Sequence, residues 1–126
     1  MLKGLLSLIA PKSQAQQRAD IRRQIMRESA KIGGTVFGPI PEGHRREFFC
    51  LDRHTWVWHE EWTDQNKVHH ARTTRYDIRP HGIFKAQDGQ PYRPITEEEA
   101  ITFFHATEAY AKAIDEYFIP RLAPGY

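Results

Sequence analysis

Three tryptophans and one glutamate share a face of a single predicted strand, because side chains alternate between the two faces of a strand. These residues are Trp56, Trp58, Glu60 and Trp62. A two-residue turn before the strand would place Glu47 opposite Glu60, and a short loop after it would place His70 on the other side of Glu60. We therefore predict a row of Glu47, Glu60 and His70 across three strands, with Arg72 in the neighbouring row.

Two carboxylates at directly opposite positions are destabilising unless something lies between them. Close carboxylates raise the pKa of one member of the pair, which is how a site acquires both an acid and a base. A hydrolase-like or metal-dependent enzyme could use this cluster of Glu47, Glu60, His70 and Arg72. In such an enzyme Glu60 and His70 could hold a divalent metal. The structural alternative is an ion pair of Arg72 with Glu60 flanked by indole rings.

The other reactive side chains give weaker signals. Cys50 is the only cysteine, which excludes an internal disulfide and a cysteine-based zinc site, and its apolar neighbours predict a small buried side chain. The seven histidines include no pair at the spacing that binds zinc on a helix. The sequence also contains no glycine-rich phosphate loop and no nucleophile elbow. We predict neither a metal nor a cofactor.

Basic side chains beside aromatic ones on the third and fourth predicted strands are a feature of single-stranded RNA binding. These side chains are Arg72, Arg75, Arg79 and Lys85, with Tyr76 and Phe84 nearby. No RNA-recognition motif accompanies them, and their aromatic neighbours fit a hydrophobic core better than an RNA-binding surface. RNA binding therefore ranks behind the other interpretations.

The element that precedes the strands is a predicted helix over residues 14–32. Ser13 and Gln16 form a capping box at its start, and two glycines follow its end. Its isoleucines and its alanines form two separate stripes, with Arg18 and Arg22 between them. A helix that only covers a core has one apolar stripe. We therefore predict a binding surface that consists of Arg18, Arg22, Trp56, Trp58, Trp62 and Arg72.

Four strands follow in a predicted antiparallel meander, with a short fifth strand after them. Their ranges are 46–52, 55–62, 67–78 and 82–87. A second helix begins at a capping box of Thr96 and Glu99 and ends at Pro120, and its apolar arc, which includes Phe103 and Phe104, must cover the sheet. The predicted fold is α+β: an N-terminal helix, a four- or five-stranded antiparallel meander, and a long C-terminal helix packed on the sheet.

The chain has 126 residues, 40% of them hydrophobic and 27% charged, which excludes a disordered or fibrous protein. A chain of this length can bury roughly 65% of the surface that it exposes when unfolded. The net charge of +2 is the sum of four blocks: +5 in 1–31, −3 in 32–66, +4 in 67–95 and −4 in 96–126. The simplest use of such blocks is internal complementarity, so the charge is weak evidence for nucleic acid.

An N-terminal segment, residues 1–12 with its apolar part in 1–10, precedes a single α+β domain that we assign to residues 13–126. The segment is too short to span a bilayer, and no cleavage site of a signal peptide follows it. It can dock on the domain, or it can anchor the chain to a membrane or a partner. We expect a cytoplasmic protein, since one cysteine fits a reducing compartment.

These observations favour a small non-enzymatic binding or adaptor module that acts through protein–protein contacts, as a homo-oligomer or with another protein. The alternatives are the enzyme with the Glu/Glu/His/Arg cluster and the single-stranded RNA-binding protein. The position of the tryptophan row separates the first two. If the C-terminal helix covers the row, it belongs to the core, whereas a row that lines an open cleft would support the enzyme.

Overall fold

Periodic apolar positions and local caps produce an α+β architecture in the computed structural model, which describes residues 11–122. An N-terminal helix precedes five antiparallel strands in one sheet, and a long C-terminal helix packs on that sheet, which confirms the predicted fold. The elements are α1 (Gln14–Gly34), β1 (His44–Cys50), β2 (Thr55–Thr63), β3 (His69–Arg79), β4 (Gly82–Gln87), β5 (Arg93–Pro94) and α2 (Glu97–Leu122). Strands that follow one another in the chain are neighbours in the sheet. The apolar part of the N-terminal segment, residues 1–10, lies outside the described residues.

Helix α1 begins as the sequence predicts and ends two residues later. Ser13 and Gln16 form both hydrogen bonds of the capping box. The last turn includes Gly33 and Gly34, which are buried against the backbone of β1. A Cβ atom on Gly33 would lie 1.8 Å from the carbonyl oxygen of Phe48. The two glycines therefore serve as a flat contact surface that lets the helix lie on the edge strand, and they do not simply stop the helix.

The predicted register of β1 on β2 is wrong by one residue. The chain between the two strands is not the two-residue turn that we assumed, because the Asp52 carboxylate accepts a 2.8 Å hydrogen bond from the backbone N–H of His54 and shapes a longer loop. As a result, Cys50 pairs with Trp56. A shift of one residue moves every side chain of β1 to the other face of the sheet.

The predicted register of β2 on β3 is wrong by two residues. The Asp64 carboxylate accepts hydrogen bonds from the backbone N–H groups of Asn66 and Val68, at 2.8 and 3.0 Å, and this holds the five residues 64–68 in a loop. Trp62 therefore pairs with His70. A shift of two residues keeps each side chain on its predicted face but changes its partner across the strands.

Helix α2 covers one face of the sheet, here called the inner face, and its own inward side is narrower than predicted. Thr96 caps the helix, since its hydroxyl accepts a 3.2 Å hydrogen bond from the N–H of Glu99. Phe103 is 6% exposed and lies in the core, whereas Phe104 is 60% exposed and points away from the sheet. The helix also continues past Pro120 to Leu122. A proline in the last turn interrupts only the end of the hydrogen-bond ladder, so it does not stop the helix there.

The core lies between α2 and the inner face of β1, β2 and β3. Phe48 is 1% exposed and stacks on Trp56, with ring centres 5.2 Å apart. Phe103 contacts the rings of Trp56 and Tyr76, at 6.1 and 4.7 Å between centres. Aromatic pairs at such distances add to the area that they bury. Tyr110 completes this cluster from the next turns of α2.

Both helices leave large apolar side chains exposed to solvent. On α1 these are Ile21, Ile25 and Met26, and on α2 they are Ile101, Phe104, Ile119 and Leu122.

Candidate functional site

The inner face of the sheet places a glutamate between two arginines, at the position where we predicted an acidic row. Glu60 pairs with Arg46 on β1 and with Arg72 on β3. The predicted row of Glu47, Glu60 and His70 does not form. The shift of β1 moves Glu47 to the opposite face, here called the outer face, and the shift of β3 moves His70 to the next row.

This group of three charges does not form an acid–base pair. Within residues 11–122 Glu60 takes part in no ion pair, although it is half-buried between the arginines. Arg72 lies over the Trp62 ring, 5.8 Å from its centre. Acid–base chemistry needs two titratable groups whose environments push their pKa values apart. One carboxylate between two cations does not supply that arrangement.

The tryptophan row is divided between the core and an open end of the sheet. Trp56 lies under Phe103 and Tyr110 of α2. Trp58 lies against Phe37, with ring centres 4.4 Å apart, in the connection that follows α1. These contacts pack Trp56 and Trp58 against the hydrophobic core, although we predicted both for a binding surface.

Trp62 lies at the other end of the inner face, where polar groups surround it. The His70 imidazole stacks on its ring with centres 5.3 Å apart, and the Arg72 guanidinium lies over it. His70 also donates a 2.8 Å hydrogen bond from Nε2 to the Asp64 carboxylate, which lowers the pKa of Asp64. The Trp62 ring is thus already in contact with His70 and Arg72. The hydrogen bond to Asp64 uses the imidazole nitrogen of His70 that could have bound a metal.

The outer face carries a hydrogen-bond chain that we did not predict. The Thr73 hydroxyl lies 2.7 Å from Nδ1 of His59, and Nε2 of His59 lies 3.0 Å from the Glu61 carboxylate. The second carboxylate oxygen of Glu61 lies 2.9 Å from Nε2 of His69. A carboxylate accepts but does not donate, so Nε2 of His59 carries the proton and Nδ1 is free to accept from Thr73. The hydrogen bonds from His59 and His69 both lower the pKa of Glu61, and the one from His59 has the larger effect.

A hydroxyl, an imidazole and a carboxylate in this order are the components of nucleophilic catalysis. Thr73 also borders a depression of 380 Å³ that Arg75, Asp88 and Tyr92 line. The signal that could have revealed the chain is the same alternation that placed the tryptophans, since His59 and Glu61 are the residues between them. Sequence reasoning missed it because it followed only the tryptophan face of the strand.

The basic residues that suggested RNA binding do not share one surface. Arg72 and Lys85 lie on the inner face, and Arg75 and Arg79 lie on the outer face. Lys85 is held by both carboxylate oxygens of Glu99, at 2.9 and 2.7 Å. A continuous basic groove, which single-stranded nucleic acid needs, is not formed by these four side chains.

The two helices form an apolar and charged surface apart from the sheet, here called the helical surface. Ile21 and Ile25 of α1 lie beside Tyr117 and Leu122 of α2, along a groove of 270 Å³. Helix α1 has five basic and two acidic residues, net +3, and helix α2 has two basic and six acidic residues, net −4. Despite this, no ion pair joins the two helices within the part of the chain that the structure describes. The expected internal complementarity is thus not realised as ion pairs between these two helices in residues 11–122.

Arg18 and Arg22, which we predicted for a binding surface, lie exposed on α1 and take part in no ion pair among the described residues. Asp20 on the same helix is used by Lys12 and Arg23, whose hydrogen bonds lower its pKa. The basic charge that remains is therefore available to a partner.

Two absences within residues 11–122 bear on the site. No three His, Cys, Asp or Glu side chains in this range are grouped so that they could hold a metal ion. No helix in the same range is both long enough and apolar enough to cross a membrane.

Comparison with known proteins found no family model that matches the chain, and no similar curated protein or solved structure.

Proposed function

We propose that the protein is a small non-enzymatic binding module that acts through protein–protein contacts at its helical surface. The observation that carries the proposal is the set of apolar side chains that both helices expose, among them Ile101, Phe104 and Ile119, which are 53%, 60% and 61% exposed. Monomers rarely leave large contiguous apolar patches exposed, and interfaces are built from them. We further propose that the module works in the cytoplasm as part of an oligomer or an assembly with another protein.

Two observations support binding over catalysis. The inner-face cluster of Arg46, Glu60 and Arg72 holds one carboxylate where an acid–base pair needs two. The tryptophans of the predicted binding surface are divided, with Trp56 and Trp58 in the core. Arg18 and Arg22 are the members of the predicted binding surface that lie on the helical surface, so the binding role rests on the helices.

Site-specific photo-crosslinking in the cells of origin tests the proposal. A benzophenone side chain in place of Phe104, which is exposed on α2, should give a discrete protein adduct. The same group in place of Tyr92, an exposed aromatic residue next to the sheet, is the matched control and should give none. Equal adducts at both positions, or none at Phe104, would contradict the proposal.

A second pair of variants shows whether the adduct depends on the helical surface. Ile101→Ser with Ile119→Ser removes two apolar side chains of α2 that are 53% and 61% exposed. This double variant should lose the adduct and, at a protein concentration low enough to keep the chain monomeric, keep its melting temperature, because exposed side chains contribute little to folding stability. Val68→Ser, which changes an equally exposed residue in the β2–β3 loop, should retain the adduct.

Hydrolysis is the second candidate function, and the chain of Thr73, His59 and Glu61 is what favours it. In this reaction the Thr73 oxygen would attack an ester carbonyl while its proton moves to Nδ1 of His59. His59 would then give that proton to the leaving alcohol as the ester C–O bond breaks. Water would next hydrolyse the acyl-threonine through the same imidazole, which releases the acid and restores the Thr73 hydroxyl. Hydrolysis of a small activated ester, lost in Thr73→Val and kept in Thr63→Val, would support it. Equal rates in both variants would exclude a role for Thr73.

A further inference from the structure

We infer that the partner of the helical surface is a second copy of this chain, with α1 of each copy lying along α2 of the other. This inference rests on the proposed binding function and names the partner. The argument uses the charge of the two helices, the position of their exposed apolar side chains, and the symmetry of a pair.

The two helices have opposite net charges that do not pair with each other in the described chain. Helix α1 is net +3 and helix α2 is net −4, and no ion pair joins them in residues 11–122. Single residues of each helix do have partners: Lys85 of β4 holds Glu99 in the first turn of α2, and Asp20 of α1 pairs with Lys12 and Arg23. Complementary charge across an interface selects the partner and the orientation. A chain whose two free helices carry opposite charges is therefore complementary to itself.

The apolar side chains of α2 lie on the side that faces away from the sheet. At 100° per residue, four apolar residues of α2 fall on one stripe, namely Ile101, Phe104, Ile119 and Leu122. The acidic Glu108 and Asp115 lie on the same stripe, between the two apolar pairs. All six of these residues are exposed. The stripe is therefore apolar at both ends, with Glu108 and Asp115 in the middle and the exposed Lys112 beside them.

Helix α1 carries exposed apolar and basic residues side by side in its first half. Ile21 and Ile25 are exposed apolar residues, and Arg18 and Arg22 lie next to them on the helix. The two isoleucines are about 6 Å apart along the helix axis, so they can contact one apolar end of the outward stripe of a partner's α2. The arginines beside them can then reach the acidic residue next to that end. The same contact buries part of the apolar surface that the single chain leaves exposed.

A two-fold symmetric pair repeats this contact. In such a dimer the same patch is used on both copies, so each dimer has two contacts between an α1 and a partner's α2. A variant with reversed charges on one helix therefore has both contacts mismatched in its own dimer. When two variants with opposite reversals are mixed, both contacts of the mixed dimer are matched again.

The test reverses the charges of each helix by mutation and measures the oligomeric state of the full chain by native mass spectrometry. One variant combines Arg18→Glu and Arg22→Glu, and the other combines Glu108→Lys and Asp115→Lys. We expect the unaltered chain to be a dimer, each variant alone to be a monomer, and the equimolar mixture to form the mixed dimer. Arg53→Glu with Arg75→Glu changes the net charge as the first variant does, at exposed positions in the β1–β2 loop and on the outer face of β3, and should remain a dimer.

Three results would overturn the inference. The unaltered chain could be monomeric, both variants could remain dimers, or the mixture could fail to form a mixed dimer. Circular dichroism of each variant confirms that it is folded, so that a monomer is not mistaken for an unfolded chain. If the chain is monomeric and the Phe104 adduct contains a different protein, the inference fails while the proposed binding function stands. If that adduct is also absent, both fail.

Discussion

Arg72 has two neighbours on the inner face that attract a cation, the Trp62 ring and the Glu60 carboxylate, and it contacts only the ring. The guanidinium lies over the Trp62 ring and forms no ion pair with Glu60, although Glu60 is directly opposite. From the sequence we predicted that Glu60 and Arg72 meet diagonally. The alternation along β2 was enough to place both residues on one face, but the register and the orientation of a long side chain depend on the loops and on packing.

A double-mutant cycle measures which neighbour matters. Arg72→Gln combined with Trp62→Leu should show a coupling of about 0.5–1 kcal/mol, as expected for a partly exposed cation–π pair. Arg72→Gln combined with Glu60→Gln should show less than about 0.5 kcal/mol. Denaturant unfolding of the single and double variants gives both values. A coupling of about 3 kcal/mol between Glu60 and Arg72 would instead indicate a buried ion pair.

Tyr76 makes folding stability depend on alkaline pH. Burial between the sheet and α2, with the nearby carboxylates of Glu99 and Glu60, raises the pKa of Tyr76 to about 12 from its ordinary value of 10.0. A raised pKa means that the folded state holds the proton longer than the unfolded state. The stability that this contributes is complete below pH 10 and is lost as the pH rises towards 12.

Tyr76→Phe should therefore lose less stability than the unaltered chain between pH 10 and pH 12. The measurement is the midpoint of denaturant unfolding at several alkaline pH values. Tyr92→Phe, which changes an exposed tyrosine, is the control and should follow the unaltered chain. Identical pH profiles for Tyr76→Phe and the unaltered chain would show that Tyr76 is not buried as described.

At the scale of elements, local signals were sufficient for the fold class, while contacts between elements were not foreseen. The capping box of Ser13 and Gln16 was predictable because it involves residues three apart in one turn. The position of Phe104 was not, because a wide apolar arc on a wheel does not reveal how much of it the sheet can cover. The close approach of α1 to β1 likewise depends on residues far apart in the chain.

Gly33 should tolerate no larger side chain. Gly33→Ala adds a Cβ that would lie 1.8 Å from a backbone oxygen of β1, so the helix must move. We expect a loss of about 1–3 kcal/mol, the usual effect of overpacking, although alanine favours a helix more than glycine does. Lys31→Ala in the same helical turn is exposed and should change stability by less than about 0.5 kcal/mol. Thermal or denaturant unfolding compares the two, and equal stability would contradict the close contact.

Phe103 and Phe104 form a matched pair that tests which side of α2 is buried. Phe103→Ala should destabilise by about 3–5 kcal/mol, because it removes a core ring. Phe104→Ala removes a ring that is 60% exposed and should change folding stability by less than about 1 kcal/mol. Denaturant unfolding at a protein concentration low enough to keep the chain monomeric separates folding from association. The reverse order of losses would place the wrong side of α2 on the sheet.

At the scale of the whole molecule, the charge blocks could be found in the sequence, but the contacts that they make could not. The basic N-terminal and acidic C-terminal blocks suggested contacts inside the chain. The structure leaves those charges unpaired between the helices in residues 11–122, together with exposed apolar side chains on both. Composition cannot distinguish complementarity within one chain from complementarity between two chains, because both give the same net charges.

Sedimentation velocity of the full chain over a range of concentration and salt tests this account most directly. We predict a shift from 14.8 kDa towards twice that mass as the concentration rises. The shift should weaken between 0.1 M and 1 M salt, because the Debye length falls from about 10 Å to about 3 Å and the α1–α2 attraction is screened. A single species of 14.8 kDa at every concentration up to about 200 µM, where a dimer of micromolar affinity would be well populated, would contradict the account.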